Sequence, residues 1–246
     1  TLDGFKAVNR KGKYLVTGTP CQIDSFRRYI RKFRCEDNFI LMDFFCHGVP
    51  SKWVWDKYIK ELRNNLGEID HVAWRNKLNG WHDSWTVVVD GKESKGEVVN
   101  WHDSYNMLIR EKKGFINSRW TKGDSFYNLG NNCLGKACYK KCKFKYDHSS
   151  ADIRIGDMWG GTYHNDEKGV TACVAFTQKG VDALKETTCE HHEFPFDTVA
   201  EGQVKEAMKY PFGWKLIINM SKSDRISMKL LVLANRIVGK LNRIVK

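Results

Sequence analysis

The run from Phe39 to Cys46, FILMDFFC, constrains this chain more than any other stretch. It is a continuous apolar run of strand length, as expected for a strand covered on both faces in a parallel sheet. Parallel neighbours need a crossover between them, and the residues just upstream supply one. Lys13 to Thr17 is a short β-rich run; Gly18-Thr19-Pro20 follows, with Thr19 placed as a helix N-cap and Pro20 at the first helical position. Ile23, Phe26, Ile30 and Phe33 then recur at helical spacing, with Arg27, Arg28, Arg31 and Lys32 on the solvated side. The whole reads as a βαβ unit.

His47-Gly48-Val49-Pro50-Ser51 is the next turn, with Ser51 capping a second helix that buries Trp55, Ile59, Leu62 and Leu66 and stops at Gly67. Cys21 therefore follows the first strand and Cys46 ends the second. Adjacent parallel strands carry both to the carboxyl edge, where open α/β sheets bind ligands. Free cysteines are also common as small buried apolar residues, and position alone leaves both readings open.

Ile69 to Arg75 and Ser84 to Asp90 read as strands, with Glu97 to Trp101 pairing as a hairpin, so the middle section is antiparallel. Asp103 to Lys113 reads as a helix, and Gly114 to Asn132 as a long irregular segment, a kind that is often functional. Ala151 to Ile155 is a strand ending at Gly156-Asp157, and Trp159 with Gly160-Gly161 forms a turn that brings backbone close to a ligand. Val170 to Thr177 reads as a buried strand, Gln178 to Thr187 as a helix and Thr198 to Lys209 as another. The last helix carries Ile226, Leu230, Leu233, Ile237, Leu241 and Ile244 as an apolar stripe among Lys229, Arg236, Lys240, Arg243 and Lys246. Packing of that stripe on this domain or on a partner subunit is the first reading, and a membrane surface the second. The expected class is α/β with a mixed sheet: N-terminal βαβ units, an antiparallel middle section, a cysteine knuckle at the sheet edge and C-terminal helices.

The knuckle is Cys133, Cys138 and Cys142, interleaved with Lys136, Lys140, Lys141, Lys143 and Lys145. Neighbouring positive charge favours thiolate, and thiolates bind soft metals. Zinc and iron-sulfur are the candidates. Structural zinc sites usually use two compact knuckles, whereas here the other thiols lie far upstream on strand ends, which suits a cluster built into an active edge. Cys35, Cys173 and Cys189 match no motif, and Cys173 reads as core. Trp74, Trp81, Trp85, Trp101 and Trp159 offer flat surfaces for an aromatic cofactor, although most such residues are core. His47 beside Cys46 raises a thiol-protease reading, but neighbours on a strand end point to opposite faces and no orienting Asn or Asp is evident. No glycine-rich dinucleotide loop and no P-loop is present.

With 246 residues, 41% of them hydrophobic, the chain can bury a core. Its formal charge of +12 favours acidic partners without choosing among them. Eight cysteines in a chain of this size, with no signal peptide, read as reduced thiols in the cytoplasm. The chain opens on Thr1 and reads as a piece with upstream sequence missing. No apolar run approaches a membrane span.

Gly18-Thr19-Pro20-Cys21-Gln22-Ile23, Phe45-Cys46-His47-Gly48-Val49-Pro50-Ser51, Arg75 with Gly80-Trp81, Cys138-Tyr139 to Cys142-Lys143-Phe144, and Ala151 to Gly160 occur in the order seen in one family. Through them the chain resembles the C-terminal domain of the coenzyme F420 hydrogenase/dehydrogenase beta subunit, from about Tyr14 to Gly180. The resemblance implies a domain over 1–190 with a C-terminal helical extension over 191–246. It implies an iron-sulfur flavoprotein oxidoreductase in which FAD exchanges hydride with the deazaflavin F420 or another small molecule and a [4Fe-4S] cluster passes single electrons to a redox partner. Cys21, Cys46, Cys138 and Cys142 would be the cluster ligands. Arg75, Lys77, Asp157, Trp159 and Gly160 would lie near the flavin or substrate. The knuckle has one residue more than the family's usual Cys-x2-Cys, so Cys133 competes for a ligand place, and the upstream flavin loop and ferredoxin-like segment of relatives are absent from these residues. A zinc-stabilised basic binding module without redox activity is the alternative, docking nucleic acid or a glycan-pathway partner; nucleic acid is the less favoured partner on the redox reading.

Overall fold

A computed structural model describes residues 2–9, 11–76, 81, 86–92, 97–99, 132–139 and 141–244. In chain order the elements are α1 (Leu2–Ala7), β1 (Tyr14–Thr17), α2 (Pro20–Lys32), β2 (Phe39–Phe44), α3 (Lys52–Leu66), β3 (Ile69–Asn76), β4 (Thr86–Gly91), β5 (Glu97–Val99), β6 (Ile153–Asp157), β7 (Thr171–Ala175), α4 (Gln178–Lys185), α5 (Phe196–Val199), α6 (Trp214–Lys222) and α7 (Met228–Ile244). The fold is α/β with a mixed sheet, as the sequence pattern predicts. The expected Asp103–Lys113 helix and the irregular segment after it lie outside the described residues, save for Asn132 at its end.

The chain forms two compact units: Thr1–His47 with Cys142–Ala207, and Gly48–Lys141 with Met208–Lys246. The first unit holds a sheet in the order β1-β2-β6-β7. β1, β2 and β6 run parallel, and β7 closes the edge antiparallel to β6. The predicted βαβ crossover is β1-α2-β2. Gln22 Oε1 accepts from the Thr19 N–H at 3.0 Å, which fixes the start of α2. Ile23, Phe26 and Ile30 are buried against Phe39 and Leu41. Burial of side chains like these contributes roughly 1.5–3 kcal/mol each, which is what holds α2 on the sheet.

The apolar run of β2 hides one charged residue. Asp43, 1% exposed, receives both sides of the Arg154 guanidinium from the neighbouring β6, with Nε at 2.7 Å and NH2 at 2.8 Å. The two are direct register partners. Arg154 also donates to the carbonyls of Tyr146 at 2.6 Å and His148 at 3.0 Å, and Ser149 Oγ donates to Asp43 at 2.6 Å. Arg27, which the pattern assigns to the solvated side of α2, instead donates to Asp152 Oδ1 at 2.7 Å. Burial alone would push the Asp152 carboxyl up, but the Leu41 amide, Arg27 and the Thr177 hydroxyl outweigh it and hold it below the usual range.

The second unit packs α3, α6 and α7 with the antiparallel sheet β3-β4-β5. α3 starts after Ser51 and ends at Gly67, whose φ of 69° takes the left-handed conformation that suits glycine. Its buried stripe is Val54, Tyr58, Leu62 and Leu66, with Trp55 and Ile59 only partly covered. That is a rotation of the expected stripe toward the α6–α7 side, where the Lys57 ammonium caps the Ser223 and Ile226 carbonyls, each at 2.6 Å. α6 is a helix that the sequence pattern does not predict. Among the described residues no helix is long and apolar enough to cross a membrane.

Three expectations are corrected. Thr198–Lys209 is not one helix: α5 ends at Val199, and Gly202, with φ 77°, turns the chain so that Gln203 can reach back into the unit. Cys173 is exposed, because β7 is an edge strand on which Thr171 and Cys173 face outward while Ala172 is buried. The stripe of α7 faces outward too: Met228, Leu231, Val232 and Val238 are its buried residues, whereas Leu230, Leu233, Ile237 and Leu241 are exposed.

Removing one member of the Asp43–Arg154 pair leaves a buried charge unpartnered, so Arg154→Met should cost about 3–5 kcal/mol in urea unfolding. The double variant Asp43→Leu/Arg154→Met should recover a large part of that loss. For Asp152 the folded value is depressed, so its stabilisation is present above the unfolded carboxyl value of about 4 and is lost as pH falls below it. The stability gap between the parent and Asp152→Asn should therefore be widest at neutral pH and close on acidification.

Candidate metal centre

Cys21 sits in the first turn of α2, exposed, with the Thr19 hydroxyl 3.3 Å from its Sγ. Parallel pairing of β1 and β2 puts the Cys21 turn and the Phe45-Cys46 exit on the same edge of the sheet. Cys46 is half-buried, and its carbonyl accepts from Lys145 Nζ, a lysine that is itself 6% exposed. Lys145 thereby ties the run that begins at Cys142 to the Cys46 strand end. The next residues of that run are held just as firmly. Tyr146, in the left-handed region at φ 52°, gives its carbonyl to Arg154 and its hydroxyl to Asp197 at 2.5 Å. The bond to Asp197 is the main reason that its phenol titrates above the usual value. The backbone that leads on from half-buried Cys142 is thus held by a buried arginine on β6, and the first unit contains Cys21, Cys46 and Cys142.

The other two knuckle cysteines belong to the second unit and differ sharply. Cys133 is 1% exposed and packs in the core with Val54 and Tyr58; burial pushes its thiol far up, against thiolate. The backbone around it is clamped: Ser51 N–H donates to the Cys133 carbonyl at 2.7 Å, Gly135 N–H to Val49 at 2.9 Å, and the Trp214 indole to Leu134 at 3.0 Å. Gly48, at φ 124°, lies so close to Leu134 that a Cβ there would fall 2.6 Å from its side chain. Cys138 ends the 3-10 turn Lys136–Cys138 and is half-exposed. Tyr139 after it is buried, and its hydroxyl accepts from the Leu134 amide at 2.9 Å. Burial raises this phenol as well.

Of the residues expected near a flavin, Asp157 ends β6 and Trp159 and Gly160 form the turn beyond it. Gly160 has φ 110°, and what comes close to it is this chain's own Glu201: a Cβ would meet Glu201 Oε2 at 2.2 Å. Gly161 faces open space within 4 Å. Gln203 bridges the region, its Nε2 donating to the Asp157 carbonyl at 3.0 Å and its Oε1 lying 3.1 Å from His47 Nε2. No spacing rule would have found Gln203 or Glu201, since both lie in irregular backbone after α5. Arg75 lies on β3 in the second unit, and Lys77 lies outside the described residues. Trp81 is buried core; Trp85 and Trp101 lie outside the described residues. Among the described residues, no three His, Cys, Asp or Glu side chains are gathered as a ready-made metal site.

A family model for the C terminus of the coenzyme F420 hydrogenase/dehydrogenase beta subunit matches residues 11–194. The chain belongs to this family. The match takes in the whole of the β1-β2-β6-β7 sheet, Cys21, Cys46 and all three knuckle cysteines, and it ends before α5. A search of curated proteins gave no match. Membership of the F420 hydrogenase/dehydrogenase beta-subunit family places the protein in an oxidoreductase context connected with coenzyme F420.

The contrast between the knuckle thiols can be read directly. Under native, reducing conditions iodoacetamide should label Cys138 and Cys142, while Cys133 should stay unlabelled until denaturant is added, as judged by peptide mass mapping. Labelling of Cys133 at the rate of Cys138 in folded protein would contradict the burial described above.

Proposed function

We propose that this domain is an electron-transfer module of an F420-type oxidoreductase, holding a [4Fe-4S] cluster on Cys21, Cys46, Cys138 and Cys142. The observation that carries the reading is the bond from buried Lys145, in the run that begins at Cys142, to the Cys46 carbonyl at the carboxyl edge that also carries Cys21. The donor set fits such a cluster in kind. All four candidates are thiols with some exposure, hence open to iron, whereas Cys133 is sealed in apolar core and kept protonated. Cys138 is favoured on chain grounds as well: it stands four residues before Cys142, so the two are never more than about 14 Å apart along an extended backbone. Metal binding would draw the thiols together, as it does where ligand capture and local folding are linked.

When bound, a cluster accepts and releases single electrons, while FAD is the group that exchanges hydride with F420 or another organic molecule. The chain's own residues supply position and charge. Lys145 Nζ, on the Cys46 carbonyl, places a buried positive charge at that strand end. Gln203 holds the His47 ring and the Asp157 carbonyl in one hydrogen-bonded link, so the turn at Trp159-Gly160 is fixed relative to the Cys46 strand end. Asp157, Trp159 and Gly160, with Arg75 and Lys77, are the proposed contacts of the flavin or its substrate. The electron partner is a small molecule or a redox protein, and the cytoplasm is the proposed setting.

Anaerobic reconstitution with iron and sulfide should give a brown protein with broad visible absorbance that dithionite bleaches. Cys21→Ser, Cys46→Ser and Cys142→Ser should each abolish that absorbance, Cys138→Ser should remove most of it, and Cys133→Ser should leave it nearly unchanged. A colourless anaerobic preparation with stoichiometric zinc would overturn the redox reading. Retention of the absorbance in Cys138→Ser together with its loss in Cys133→Ser would overturn the ligand assignment within the knuckle.

A further inference from the structure

The helix α7 has two apolar faces, and only one of them is used within its unit. Met228, Leu231, Val232 and Val238 are at most 4% exposed and pack with α3 and α6. Leu230, Leu233, Ile237 and Leu241 are 39–54% exposed and lie within about 80° of one another around the helix at 100° per residue. Single exposed leucines are ordinary, but an aligned row over three turns is not. The charge beside the row has one sign. Lys229, Arg236 and Lys240 occupy the strip between the exposed row and the buried face, and α7 contains no Asp or Glu. α6 likewise carries Lys215 and Lys222 and no acid, and its Leu216 is 52% exposed. The nearest carboxylate in the connection, Asp224, is held by Lys60 at 2.8 Å.

We propose that the exposed face of α7 lies on an anionic phospholipid surface, with its aliphatic row in the acyl boundary and its lysines at the headgroups. An apolar stripe edged by lysine and arginine alone, on a helix too polar to span, is the pattern of an interfacial helix. Single-sign charge also argues against a second copy of the same face, since an isologous contact would set the lysine strips close to one another. The attraction is electrostatic as well as apolar, so it depends on acidic lipid and weakens with salt.

Co-sedimentation with vesicles tests this. The protein should bind phosphatidylcholine vesicles containing on the order of a third phosphatidylserine, and bind pure phosphatidylcholine vesicles at least about tenfold more weakly. Raising the salt to about 0.5 M, where the Debye length falls to a few ångströms, should release it. Leu233→Asp/Ile237→Asp should abolish binding, and Lys229→Glu/Lys240→Glu should weaken it at least about tenfold. All four positions lie on the outward side of the helix, so circular dichroism should show both variants folded. Equal binding to both vesicle types, no binding to either, or a dimer in solution that Ile237→Asp dissolves would overturn the proposal.

Discussion

The buried ion pair of Asp43 and Arg154 is the contact on which the first unit depends. A charge pair taken wholly out of water repays its desolvation only when its remaining donors are satisfied. Arg154 meets that condition: it makes four hydrogen bonds, to Asp43 and to the Tyr146 and His148 carbonyls, with the rings of Phe45 and Phe176 each 5.5 Å from its guanidinium carbon. One side chain thus fixes the β2–β6 register and, through the same guanidinium, the backbone that leads from Cys142. A methionine in its place could fill the volume but could not hold Tyr146 in its left-handed conformation.

Asp152, just before β6 begins, performs the companion task. It gathers the Leu41 amide, Arg27 of α2 and Thr177 at the start of α4 around one carboxylate. The Asp-Ile-Arg-Ile-Gly-Asp run is therefore a structural motif before it is a chemical one. Asp152 and Arg154 face inward to lock strand, helix and the Tyr146–His148 backbone that leads from Cys142. On the proposed reading, ligands on the carboxyl edge would gain a rigid frame at their backbones.

Much of the frame is legible in the residues. Thr19-Pro20 announces α2, FILMDFFC the central strand and Gly67 the end of α3, because each rests on local steric or capping rules. The features that escape are the ones set by distant partners. Asp43 in an apolar run looks like a blemish until Arg154, far along the chain, is seen to be its partner. Arg27 sits on the polar side of a helical pattern yet turns inward to Asp152. The helix that Val204, Ala207 and Met208 would otherwise predict stops at Val199, and the turn at Gly202 lets Gln203 reach His47. Within the knuckle, spacing alone treats Cys133 and Cys138 alike. Burial separates them, and burial depends on the packing of α3 and α6, which no short window contains.

The stripe on α7 shows the same limit from the other side. Its period is plain in the sequence, and the inference from period to helix is sound. The inference from period to burial is not, because a helix rich in Leu, Ile and Val carries more than one apolar arc. Here the arc through Met228, Leu231 and Val238 is the one that packs in the core with α3. Two polar contacts go with it: the Met228 N–H donates to Glu61 Oε1 at 2.7 Å, and Asn235 Oδ1 accepts from the Asn132 amide at 2.9 Å. Those anchors, one at the first turn and one at mid-helix, set the rotation of α7 about its axis. With that rotation set, the Leu230–Leu241 row faces away from the core that α7 shares with α3 and α6.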